Sequence, residues 1–61
     1  MRKGKLVKQS EEAKRQSINV PKGAIFIGYK QGDETVGKIE YMKRTGKRGT
    51  SLIAMCFLKE V

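Results

Sequence analysis

Ser51-Leu52-Ile53-Ala54-Met55-Cys56-Phe57-Leu58-Lys59 carries seven apolar side chains in succession, and its reading decides the fold. Leu, Ala and Met favour helix, and periodicity alone does not separate a buried strand from a buried helix. The run is short, and two turn-separated β-rich runs precede it, so residues 51–59 read as a strand. A strand apolar on both faces needs cover on both.

Upstream, Pro21 and Gly23 punctuate the approach to Ala24-Ile25-Phe26-Ile27-Gly28-Tyr29-Lys30. This β-rich run places Ile25, Ile27 and Tyr29 on one face and Phe26 with Gly28 on the other. Gln31-Gly32-Asp33-Glu34 supplies turn residues. From Thr35 to Lys43 the pattern alternates, Ile39 and Tyr41 facing one way and Lys38 and Glu40 the other, as in a half-buried strand. Lys43-Arg44-Thr45-Gly46-Lys47-Arg48-Gly49 then makes a second turn. The expected fold is mainly β: a small antiparallel three-stranded meander over residues 18–61, with a curled SH3-like or OB-like partial barrel as the alternative. Three strands are near the lower limit of independent stability, and a bare apolar edge invites pairing. Residues 52–58 are therefore expected to meet a protein partner or a second copy of the chain.

Residues 1–17 differ in composition and read as a basic N-terminal arm, either flexible or a short helix. Ser10 is placed to cap such a helix, with Glu11 and Glu12 in its first turn. Glu11 and Arg15 have the favoured i,i+4 order. Yet about seven residues do not hold as an isolated helix, and no apolar stripe is present for docking, which favours a mobile arm.

The composition narrows the function classes. Fourteen Lys and Arg against six Asp and Glu give a net charge of +8 on 61 residues. Such an excess favours polyanionic partners through long-range attraction and counterion release. A single cysteine, Cys56, excludes an internal disulfide, and without histidine a structural zinc site lacks its usual ligands. The basic start resembles a secretory n-region but no apolar h-region follows, and no run nears the roughly 18 apolar residues of a membrane span. A cytoplasmic or nucleoid-associated location is the expectation. Leu6 and Val7 offer little for membrane insertion, so no membrane partner is expected.

Catalytic chemistry finds few residues. Gly32 to Ile39 fits GxxxxGK, but Ile39 occupies the hydroxyl position that a P-loop uses for Mg²⁺. Asp33 and Glu34 would also repel a nucleotide, so the segment reads as a turn entering a strand. Cys56, inside an apolar run, reads as a small inert hydrophobe. No catalytic residue, cofactor, metal or small-molecule substrate is expected.

Nucleic-acid binding has better materials. Arg2, Lys3, Lys5 and Lys8 form one basic cluster, and Lys43, Arg44, Lys47 and Arg48 form another. Arg presents a planar fork to phosphate or a guanine edge, while Lys acts as a point charge. Gly46 and Gly49 are expected to let backbone amides approach phosphate. Tyr29 and Tyr41 are candidates for base stacking, although Tyr41 shares its face with Ile39 and core packing competes for it. The expected function is that of a small non-enzymatic protein binding DNA or RNA through its phosphate backbone. The alternative is an interaction module, a subunit, adaptor or inhibitor docking through its apolar C-terminal strand.

Overall fold

A computed structural model describes all residues from Met1 to Val61. It is mainly β, with one short helix and two antiparallel sheets. The expected meander is present as β2 (Ile25–Lys30), β3 (Asp33–Met42) and β4 (Arg48–Ala54), in the order β2-β3-β4. Only Gln31 and Gly32 lie between Lys30 and Asp33, which face each other in register. Gly32 has φ 81°, the positive value that a type II turn requires at its second central residue. The four-residue turn expected here therefore contracts. Asp33 joins β3 instead, and its carboxylate accepts hydrogen bonds from the Thr35 amide (2.9 Å) and hydroxyl.

The run at residues 51–59 departs from expectation. It is strand, one 3₁₀ turn, then strand again: β4 ends at Ala54, Met55–Phe57 turn, and β5 spans Leu58–Glu60. Residues three apart eclipse in a 3₁₀ turn, so Met55 and Leu58 both reach the core. Cys56, between them, is exposed, which corrects its expected place in an apolar interior. The turn solves the problem of a strand apolar on both faces by giving its second half a different sheet.

That second sheet also corrects the reading of residues 1–17 as a mobile arm. β1 (Val7–Gln9) pairs antiparallel with β5, Val7 opposite Glu60, Lys8 opposite Lys59 and Gln9 opposite Leu58. Its upstream flank lies against β2, with a Leu6–Ile25 bridge and Val7 N–H donating to the Ala24 carbonyl (3.0 Å). Helix α1 (Glu11–Arg15) follows, capped as expected by Ser10, whose Oγ accepts from the Ala13 amide (3.2 Å). The same hydroxyl donates to the Cys56 carbonyl (2.6 Å), tying the cap to the 3₁₀ turn. No apolar stripe is needed, because one residue of α1, Ala13, is completely buried, and Val7 of β1 is 3% exposed.

The core is Val7, Ala24, Phe26, Ile39 and Leu58, with Val20, Tyr41, Ile53 and Met55 packed against it. Phe26 and Ile39 are cross-strand partners, so the Phe26 face of β2 points inward. Gly37 lies beneath this cluster. A Cβ there would fall 2.5 Å from Met55 Sδ, 3.1 Å from Phe26 Cε1 and 3.4 Å from Leu58 Cδ1. No helix is long and apolar enough to cross a membrane.

Two outcomes follow from this packing. Gly37→Ala is expected to cost about 1–3 kcal/mol by overpacking, read as a lowered urea midpoint. Gly49→Ala should cost less, because its Cβ would meet chiefly the Lys43 side chain, whose Cε lies 2.5 Å away and can move. Equal losses would contradict this account of Gly37. Separately, the Thr35 hydroxyl, then the Thr35 amide, hold the Asp33 carboxyl below its ordinary pKa of 3.8. A lowered folded-state pKa contributes stability above the unfolded value, and that contribution is lost as pH falls through the folded one. In Thr35→Val, NMR titration should show Asp33 protonating at higher pH, with less stability at neutral pH and a smaller loss of it on acidification.

Candidate nucleic-acid interface

The charge excess is distributed by what the few carboxylates do. Glu11 pairs with Lys14 (3.8 Å) and Glu12 with Arg15, both within α1, and Glu40 of β3 pairs with Arg48 of β4. These i,i+3 helix pairs replace the Glu11–Arg15 pair expected from spacing. Asp33 is occupied by Thr35. Three of the fourteen Lys and Arg are ion-paired, so eleven carry no salt bridge.

Lys43, Arg44, Lys47 and Arg48 are all exposed at the β3–β4 hairpin. Gly46 N–H donates to the Lys43 carbonyl (2.9 Å) and Lys43 N–H to the Lys47 carbonyl (2.7 Å). Gly46 has φ 86°, so Arg44-Thr45-Gly46 is a three-residue hairpin loop ending in a left-handed residue. Both glycines are thereby explained without a ligand. The Gly46 amide is committed to the turn, and Gly49 is buried in β4 opposite Tyr41, where it admits the Lys43 stem. The amides expected to approach phosphate are not the feature of this loop; its side-chain cations are. Arg48 is the exception among them, since Glu40 across the strands answers its charge.

The N-terminal cluster does not stay together. Arg2, Lys3, Lys5 and Lys8 are all exposed but spread along the edge of β2. Phe26 N–H donates to the Lys5 carbonyl (2.9 Å), and Met1 lies beside the Tyr29 hydroxyl (3.4 Å). Arg2 and Lys3 therefore lie towards the Gln31–Gly32 turn. Lys8 lies past the other end of β2, beside the Pro21–Ala24 turn, at the end of the sheet that bears the hairpin loop. Two further exposed cations are absent from the sequence-based site. Lys22 tips the Pro21–Ala24 turn, closed by Ala24 N–H to the Pro21 carbonyl (3.2 Å), and Lys59 faces Lys8. The Pro-Lys-Gly string carried a turn signal for the first. Lys59 had none, because its partner lies near the opposite end of the chain.

The tyrosines divide. Tyr29 is 41% exposed, its ring edge-on to Phe26 at 5.2 Å between centroids. Tyr41 is half-buried and packs against the core, its ring beside Gly49. A shallow cavity of about 110 Å³ beside the hairpin is lined by Gly23, Ile25, Glu40, Tyr41, Met42 and Arg48. It contains the Glu40–Arg48 pair, with the apolar Met42 side chain 61% exposed next to it.

The exposed cations thus divide between the hairpin end of the sheet, with Lys22, Lys43, Arg44, Lys47 and Arg48, the facing pair Lys8 and Lys59 on the second sheet, and Arg2, Lys3 and Lys5 along β2. Comparison with protein-family models, with curated proteins and with solved structures finds no match to this chain.

Proposed function

We propose that this chain is a small non-enzymatic nucleic-acid-binding protein that contacts the phosphate backbone of DNA or RNA. The observation that carries the reading is the exposed hairpin loop, where Lys43, Arg44 and Lys47 have no carboxylate partner. Cations held on a hairpin and left unpaired release bound counterions from a polyanion when they replace them. Lys8, near the same end of the sheet, extends the contact; Arg2, Lys3 and Lys5 offer a second one along β2. Arg48 joins only by leaving Glu40, an exchange of small cost for an exposed pair. Tyr29, the more open aromatic, is placed beside Arg2 and Lys3 for stacking on an unpaired base.

With seven side chains engaged, and Arg48 left to Glu40, log K on duplex DNA should fall with log salt at a slope near −6. A gel-shift titration across salt concentration reads it directly. Replacing Lys43, Arg44 and Lys47 together by Gln should reduce the slope by about 3 without lowering the melting temperature. Affinity that barely responds to salt would refute the reading.

One observation favours protein docking as a second reading. β4 is an edge strand of its sheet, and Leu52 on it is 51% exposed. Strand addition would satisfy its free backbone groups. On this reading, light scattering after size exclusion gives a mass above that of the single chain, and Leu52→Lys returns it to a monomer.

A further inference from the structure

Lys8 and Lys59 face each other directly across the β1–β5 ladder. Opposed residues of an antiparallel pair have Cβ atoms about 4.5–5.5 Å apart, and like charges there oppose pairing. Both side chains are exposed while Val7 and Leu58 point to the core, so the two ammonium groups share the outer face. The neighbouring rungs on that face are fixed by Val61 N–H to the Leu6 carbonyl (3.0 Å) and Ser10 N–H to the Phe57 carbonyl (3.1 Å). No side chain of Leu6, Val61, Ser10 or Phe57 is a carboxylate, and neither Lys8 nor Lys59 makes a salt bridge. Glu60 belongs to the opposite face, opposite Val7, where its Oε1 is 3.5 Å from the Arg2 amide. The β1–β5 sheet therefore holds two facing cations that make no ion pair.

We propose that Lys8 and Lys59 form a clamp for a phosphate oxyanion, whose occupancy stabilises the β1–β5 sheet. Two ammonium groups on stems whose Cβ atoms lie about 5 Å apart can each donate to a different oxygen of one tetrahedral phosphate, at the short distances of charge-assisted bonds. The anion removes the repulsion within the rung and so binds the folded chain in preference to the unfolded one. The clamp stands on the register of the terminal strands and does not require the hairpin loop. Its phosphate comes either from solution or from a nucleic-acid backbone.

The test uses the full chain in sodium phosphate and in sodium chloride of equal ionic strength. At about five times the phosphate dissociation constant, the melting temperature should rise by about 4–8 °C over chloride. Lys59→Gln should abolish the phosphate-specific rise. Lys59→Glu, which sets a carboxylate opposite Lys8, should melt above the wild-type chain in chloride and gain nothing from phosphate. An amide NMR titration with inorganic phosphate should shift Lys8 and Lys59 together, and should still do so after Lys43, Arg44 and Lys47 are replaced by Gln. A mixed-sequence oligonucleotide then distinguishes the sources: it displaces the phosphate-induced shifts if the clamp takes backbone phosphate, and leaves them if it takes free phosphate alone. A phosphate rise of equal size in Lys59→Gln, or shifts confined to residues 44–47, would overturn the clamp.

Discussion

The structure depends on Met55 seating over Gly37. A side chain at position 37 would occupy the space of Met55 Sδ, the Phe26 ring edge and a Leu58 methyl. Because that space is free, the chain turns at Met55–Phe57 and returns to the core at Leu58. The return creates β5, and β5 gives the N-terminal segment a strand to pair with. Ser10 then reaches the Cys56 carbonyl and starts α1 over the 3₁₀ turn. Without the turn, residues 1–17 would have only the flank of β2 to lie against.

The meander was legible because its signals are local. Alternation in β3 and glycines with positive φ at Gly32 and Gly46 belong to segments that are neighbours in sequence. The break inside residues 51–59 was not, since no Gly, Pro or polar residue marks Met55. What stops the strand there is a tertiary contact with Gly37, eighteen positions upstream. The same glycine entered the sequence reading only as part of a failed nucleotide motif. The burial of Val7 and Ala13 was hidden for a related reason: a basic segment with few apolar residues can still dock when each of them lands on a core position.

The site was legible as a set of residue types rather than as an arrangement. All eight cations assigned from sequence are exposed, yet the strand register divides the N-terminal four and brings Lys8 to the hairpin end with Lys22. The absence of acid within KRTGKRG was informative along the chain but incomplete in space, because Glu40 reaches Arg48 from the adjacent strand. Cross-strand partners are invisible until register is known, and this decided both what Arg48 lost and what Lys59 added.

Charge and stability are joined in a chain of this size. Only nine of 61 residues are buried, and the accessible surface is 4651 Å². A folded chain of 6.9 kDa is expected to expose about 4000 Å², so the core is thin for the surface it supports. A net charge of +8 adds self-repulsion to that thin core. Screening by salt relieves the repulsion everywhere, whereas a polyanion relieves it where the cations are densest. Binding to the folded arrangement then draws free energy from two sources, the new contacts and the removal of repulsion already present in the free chain. This gives the unpaired surface cations a role in the folding equilibrium as well as in recognition, and it ties the β1–β5 closure to the ionic surroundings in which the chain folds.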